Sequence, residues 1–261
     1  MSAEIMIRTR PTLRPARRPG KAAVRHRRDN IARPLCAYQL VGTVPAMGDE
    51  RHALVLDYGG VLTTSVATSV HQWLTSDGIE PASYHAALRE WYDSASQDSP
   101  VHGLENGTLP PGEFERLLAA RLRTGDGRPV PAEGLLTRMF AGMRPDEEML
   151  RLVRAARAAG LATALLSNSW GNTYPTELLA ELFDVVVISG EVGLRKPDAA
   201  IYTLLVERLA LPARRCVFVD DLPFNVEAAV AVGMTGLHHV DAATTRGELA
   251  RLLPALAEVT W

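Results

Sequence analysis

Asp57, Ser167, Lys196 and the pair Asp220-Asp221 are the residues of this 261-residue chain whose types and surroundings could do chemistry together. Asp57 closes the apolar run Ala53-Leu54-Val55-Leu56 and precedes Tyr58-Gly59-Gly60, where glycines let the chain turn sharply past a carboxylate. Three later apolar runs also deliver polar groups at their downstream ends. The run 161–166 leads into Ser167-Asn168-Ser169, 185–188 into Gly193-Leu194-Arg195-Lys196-Pro197, and 216–219 into Asp220-Asp221. A carboxylate nucleophile, a hydroxyl, a lysine and an acidic pair describe phosphoryl transfer assisted by a divalent cation. Asp57 would attack phosphorus and become an aspartyl phosphate, which divides one hard displacement into two easier ones. Asp221, with Asp220 beside it, offers the hard oxygen ligands that Mg2+ takes. Lys196 would set positive charge against the transferring group and Ser167 would donate a hydrogen bond to it. Lysine usage supports this: Lys21 and Lys196 are the only lysines, and a crowded phosphate site favours a compact ammonium over a planar guanidinium.

These residues are spread over more than half of the chain, so a fold must gather them. Helical spacing of Met149, Leu152, Val153 and Ala156 marks a helix over 145–159, ended by Gly160. Further helices are expected over 198–210, 223–232 and 244–253, with a fifth strand over 236–240. Strands alternating with helices predict an α/β fold, a Rossmann-like parallel sheet with helices on both faces. In such a sheet the carboxyl ends of the strands open into one crevice.

Four segments in this order, Asp57-Tyr58-Gly59-Gly60-Val61-Leu62, Leu165-Leu166-Ser167-Asn168-Ser169-Trp170, Gly193-Leu194-Arg195-Lys196-Pro197-Asp198 and Val217-Phe218-Val219-Asp220-Asp221-Leu222-Pro223-Phe224-Asn225, resemble the motifs of the haloacid dehalogenase-like hydrolases. The likeness runs from about residue 53 to the C-terminus. It implies a Rossmannoid core, an aspartyl-phosphate intermediate and bound magnesium. By that likeness Asp57 is the nucleophile, and Asp57, the Gly59 carbonyl and the Asp221 carboxylate bind the metal with Asp220 as helper. Ser167 and Lys196 hold the phosphate, and Asn168 and Asn225 match secondary positions. One departure matters. Most phosphatases of the family carry a second Asp two residues after the nucleophile, to protonate the leaving oxygen, and here that position is Gly59. General acid catalysis is worth about 10²–10⁴-fold, so substrates with easier leaving groups, such as anomeric sugar phosphates or acyl phosphates, fit the site better. The chain is also similar to the branch containing bacterial sugar-1-phosphate phosphatases, where a Gly here is compatible with activity.

The segment 64–144 reads as an inserted α-helical cap, with amphipathic helices over 66–74, 83–91, 112–122 and 132–140. A cap can close over a site, exclude water and choose the substrate. Its stretch 99–107 is rich in turn residues and is expected to be a solvated loop carrying His102 and Glu105. Trp73, Trp91 and Tyr92 fall at helical positions expected in the cap core. Trp170 and Asn172 follow the Ser167 motif closely and are expected to touch substrate.

The core is thus expected to comprise 47–63 and 145–261. The first 46 residues hold ten basic side chains against Glu4 and Asp29, with five prolines and no sustained periodicity, and are expected to be disordered. A start at Met47 would give a complete family domain. No run approaches ~18 apolar residues, so no membrane span is expected. Cys36 and Cys216 offer neither metal spacing nor a disulfide framework, in keeping with a cytoplasmic location. His238 and His239 cannot face the same side of a strand. The partner expected is a small phosphorylated metabolite, with nucleic acid unfavoured. The competing readings are a carbon-halogen hydrolase, which needs no magnesium and leaves the acidic pair without a use, and a phosphate-binding or regulatory protein that lost turnover with the second Asp. A two-component receiver would place its acidic pair on the first strand, the reverse of the order here.

Overall fold

The computed structural model describes residues 51–93, 99–171 and 174–257. The first 46 residues and Asn172 therefore lie outside the described part. In chain order, β1 (Ala53–Leu56) is followed by α1 (Val66–Ser76), α2 (Pro81–Asp93), α3 (Pro100–Glu105), α4 (Pro111–Arg121) and α5 (Leu135–Phe140). Then come α6 (Glu147–Ala158), β2 (Ala162–Ser167), α7 (Thr176–Leu182), β3 (Val185–Ile188), α8 (Ser189–Val192), α9 (Ala199–Leu209), β4 (Cys216–Asp220), α10 (Pro223–Ala231), β5 (Thr235–His238) and α11 (Ala242–Leu252).

The strands form one parallel sheet in the order β3-β2-β1-β4-β5. Every residue of β1 is buried, as a central parallel strand covered on both faces requires. Leu54, Leu56, Leu165 and Val219 pack with Met149 and Val153 of α6 and Leu249 of α11. Ala53, Val55, Leu166 and Phe218 pack on the opposite face with Ile201 and Tyr202 of α9 and Ala229 of α10. This is the Rossmann-like layering expected from the alternation of patterns. The chain moves outward from β1 through β2 to β3, then returns to place β4 on the other side of β1. The switch point between β1 and β4 opens a crevice at their carboxyl ends, the ends that carry Asp57 and Asp220. His238 is exposed and His239 is 7% exposed, so the two do face opposite ways.

Helices α1 to α5 bury a cluster of their own, including Trp73, Leu74, Tyr84, Trp91, Phe114, Leu118, Leu135 and Met139. Trp73 and Trp91 are core as expected, but Tyr92 is not: its side chain is 44% exposed. The expected loop 99–107 is corrected too, because Pro100–Glu105 is helical. Proline is pre-organised for the first helical position, and a helix of six residues is too short to show periodicity. Glu105 is therefore not solvated; it is 3% exposed. Helix α7, seven residues long, escaped the periodic reading for the same reason. Among the described residues no helix is long and apolar enough to cross a membrane.

Candidate active site

Asp57 continues the pairing of β1, its N–H donating to the Val219 carbonyl at 2.9 Å, so the backbone holds it beside the end of β4. The following turn places Gly60 at φ +80°, and a Cβ there would lie 2.5 Å from Asp221 Oδ2. Glycine is thus needed twice over at this position, for the left-handed backbone and for the approach of a carboxylate. Lys196 comes from the chain that follows β3 and α8. Its Nζ donates to Asp57 Oδ1 at 2.7 Å and to Asp220 Oδ2 at 2.6 Å, and it is 1% exposed. Beneath it lies the Phe218 ring, with Nζ 5.5 Å from the centroid. Asn168 fixes this loop from the end of β2: its Oδ1 accepts the Lys196 N–H at 2.8 Å and its Nδ2 donates to the Lys196 carbonyl at 3.0 Å.

Asp220 is fully buried and its oxygens accept from Lys196, from the Leu222 N–H at 2.9 Å and from Asn225 Nδ2 at 3.1 and 3.2 Å. Asp221 stands closer to solvent, with its carbonyl hydrogen-bonded to His238 Nε2 at 3.0 Å. Ser167 Oγ lies 3.0 Å from the Tyr174 hydroxyl. Burial pushes the Tyr174 phenol up to about 12, so it keeps its proton and can orient the serine. Tyr174 was not legible in the motif reading. It sits outside any periodic segment, and no spacing signals it.

The electrostatics of the cluster are those of a site short of positive charge. Burial, opposed by Lys196 but reinforced by Asp220 and Asp221, pushes the Asp57 carboxyl up to about 7. Burial and then Asp220 raise Asp221 to about 6, again against Lys196. For Lys196, burial works against the ammonium, but Asp220 and Asp57 outweigh it and hold the group above its ordinary range. Oxygens of Asp57, Asp220 and Asp221 all lie within 4.8 Å of one another. Three carboxylates against one lysine, with hard oxygen donors on one side of a crevice, fit a small divalent cation. Asn225 Oδ1, also in this wall, has no hydrogen-bond partner among the described residues.

The crevice continues into a cavity of about 450 Å³. Asp57, Gly59, Ser167, Asn168, Trp170, Lys196 and Asp221 all line it, so the structure brings together all the proposed site residues it describes except the fully buried Asp220, which supports them from behind. Trp170 also ties the layers. Its ring meets Phe114 and Phe140 edge-on at centroid distances of 5.5 and 6.3 Å, and its Nε1 donates to Glu105 Oε1 at 3.1 Å. Glu105 further accepts from Arg195 Nη1 at 3.0 Å and Tyr92 Oη at 3.4 Å. Burial raises its carboxyl above the ordinary range, with Arg195 opposing. Close approach of the layers continues at Gly107, φ +78°, where a Cβ would fall 2.5 Å from the Gly190 carbonyl oxygen. His102 lies on α3 against Tyr92, ring centroids 6.2 Å apart, and does not line the cavity.

Residues 52–233 match the family of haloacid dehalogenase-like hydrolases. The chain is 31% identical over 154 residues to a sesquiterpene phosphatase of Aspergillus oryzae, covering 57% of this chain and 76% of that protein. It is 30% identical over 157 residues to a phosphatase of Mycobacterium tuberculosis, covering 58% of this chain and 71% of the relative. Its fold is similar to that of a solved enzyme of the family from Bacteroides thetaiotaomicron in complex with magnesium and inorganic phosphate, with TM-score 0.55, 18% identity, and 73% and 95% of the two chains covered.

Proposed function

The chain belongs to the haloacid dehalogenase-like hydrolases, and from that premise we propose that it is a magnesium-dependent phosphatase of a small phosphorylated metabolite. The observation that carries this reading is the convergence of Asp57, Lys196, Asp220 and Asp221 at the β1–β4 switch point, with Lys196 bridging two carboxylates at 2.7 and 2.6 Å.

In this reading an Asp57 carboxylate oxygen attacks phosphorus. The bond from phosphorus to the ester oxygen breaks, the leaving oxygen takes a proton from water and departs as the alcohol, and Asp57 is left as an aspartyl phosphate. Water then attacks that phosphorus, which releases inorganic phosphate and restores the carboxylate. Lys196 neutralises charge on the transferring oxygens, and Ser167, oriented by Tyr174, donates a hydrogen bond to one of them. Asn168 acts through Lys196 by holding its backbone. Magnesium, held by Asp57, Asp221 and the Gly59 carbonyl, would supply further positive charge at the phosphate. The helical insertion acts as the cap, docked through Glu105, and excludes water from the site.

Gly59 leaves the leaving oxygen without the usual carboxyl. Glu105, with its oxygens committed to Arg195, Trp170 and Tyr92, holds the cap in place and does not serve as a substitute acid. Turnover should therefore favour anomeric and acyl phosphates over primary alkyl phosphates of similar size. The test is phosphate release from a panel of phosphate esters with and without Mg2+, joined to borohydride trapping of an acyl phosphate on the peptide that contains Asp57. Release without any trapped adduct would remove the covalent route. The same Gly59 favours the alternative, a phosphate-binding protein without turnover, and that reading gains if no ester is hydrolysed.

A further inference from the structure

The cavity beside Asp57 has two unlike halves. At the strand ends it is charged, while the part built by the insertion is walled by Val70, Tyr84, Leu88, Phe140 and Met143, with Phe224 contributed from the core side. The insertion's polar contributions, apart from tyrosine hydroxyls, are Ser65, His71, His85 and Glu105. Ser65 accepts the Thr68 N–H at the start of α1 and Glu105 is tied to Arg195, while His71 and His85 are exposed. A sugar or other polyol in this half would bury hydroxyls against apolar walls, which is unfavourable for each one left without a partner. A hydrocarbon would lose nothing there. Phe224, beside the cavity, is 51% exposed and Leu222 is 42% exposed, an apolar rim of the kind that marks a binding surface rather than a solvated one.

Resting on the phosphatase reading above, we propose that the substrate is a phosphomonoester whose alcohol carries an extended hydrocarbon body, the phosphate lying at Asp57 and Lys196 and the chain along α1, α2 and α5. The volume sets the length. A cavity of about 450 Å³ holds roughly fifteen water-sized atoms at ~30 Å³ each, leaving space for about ten carbons beyond the phosphate. Each methylene so buried should raise kcat/KM about fourfold, until the cavity is full.

The experiment is a series of n-alkyl phosphates from butyl to decyl, used below their micelle-forming concentrations, with glucose 6-phosphate as a polar comparison. All have a primary alcohol as leaving group, so the missing acid affects them alike. A rise with chain length that levels off near decyl, with glucose 6-phosphate far below, is the expected result. Leu88→Asn and Phe224→Ser should each reduce the dependence of log kcat/KM on carbon number. In parallel, Asp57→Asn protein with Mg2+ is titrated calorimetrically with methylphosphonate and decylphosphonate, and the longer ligand should bind more tightly with a negative heat-capacity change. Hydrolysis that ignores chain length, or that favours glucose 6-phosphate, overturns this proposal and leaves the phosphatase reading standing. If none of these esters is cleaved yet decylphosphonate outbinds methylphosphonate, the apolar site survives, and the phosphatase reading fails if anomeric and acyl phosphates are not cleaved either. Equal binding of the two phosphonates overturns the apolar site in either case.

Discussion

The strand ends and the helical insertion border the same cavity, yet they are built on opposite terms. At the strand ends Lys196 and Asp220 are buried almost completely, to 1% and 0% exposure, and each is held by several partners. In the insertion the groups facing the cavity are mostly apolar, and its one deeply buried carboxylate among the described residues, Glu105, is turned toward Arg195 and Trp170. Removing a partner from a buried ion pair leaves an uncompensated charge and is strongly destabilising, whereas an apolar wall tolerates exchange among side chains of similar volume. On the reading proposed above, the chemistry would therefore be fixed by the sheet, and the insertion would be the part in which substrate choice can vary.

Substitutions that probe each side should separate these roles. The largest effect is expected at Asp57: Asp57→Asn should reduce phosphate release more than about a thousandfold, since an amide cannot act as the nucleophile. Its melting temperature should match or exceed that of the native protein, because burial, with Asp220 and Asp221, outweighs the attraction of Lys196 and disfavours the charge at this position, and Lys196 keeps Asp220 as its partner. Retention of a tenth of the turnover, with deamidation excluded by mass spectrometry, would remove Asp57 from its role.

Lys196→Met should abolish turnover and also destabilise the fold, by about 3–5 kcal/mol in denaturant titrations, because Asp57 and Asp220 lose their shared cation. A stability unchanged within error would contradict the role of Lys196 as the cation shared by Asp57 and Asp220. An intermediate effect is expected where the two regions touch. A Cβ on Gly59 would lie 3.1 Å from Val66 Cγ2 of α1, so Gly59→Asp alone is crowded. Combined with Val66→Ala it should raise turnover of primary alkyl phosphates about a hundredfold or more, within the range of about 10²–10⁴ that a positioned acid supplies. If the pair gains no more than the single substitution, crowding by α1 is not what limits a carboxyl there.

The smallest effects are those of pH on stability, and they should have opposite signs in the two regions. Burial holds Glu105 above its ordinary 4.5, so the folded protein binds that proton more tightly than the unfolded chain. The stability it contributes is present below 4.5 and is lost as pH rises through the folded value. His239, on the core, is lowered from 6.5 chiefly by burial, against Asp146 and Asp241 and with His238 adding to the lowering. Its contribution is present above 6.5 and is lost as pH falls through the folded value. In thermal melts across that span, Glu105→Gln should remove a gain at low pH and His239→Gln a gain at high pH. The same sign for both substitutions would refute this assignment.

Most of the sheet was legible because its signals are local. The runs at 53–56, 185–188 and 216–219 are short and apolar, they end in polar residues, and they are separated by helical spacing or turn residues. The strand-end residues followed from the same pattern, since parallel strands present their carboxyl ends together. What escaped was set by contacts between distant segments. Glu105 reads as part of a solvated turn because nothing nearby announces Arg195, ninety positions away. Tyr174 has no signal apart from Ser167, and Tyr92 keeps helical spacing in a core pattern yet turns to the cavity.

The sequence by itself determined the parallel α/β layering, the order of polar strand ends and the residue types available for phosphoryl transfer, because hydrophobic period and turn chemistry are read within a few residues of one another. Only the tertiary structure decided that Lys196 bridges Asp57 and Asp220, that Asn168 clamps the Lys196 backbone, and that the insertion offers an apolar wall. Those depend on which buried groups meet, and a buried charge or apolar face acquires its partner only when segments far apart in the chain are packed together.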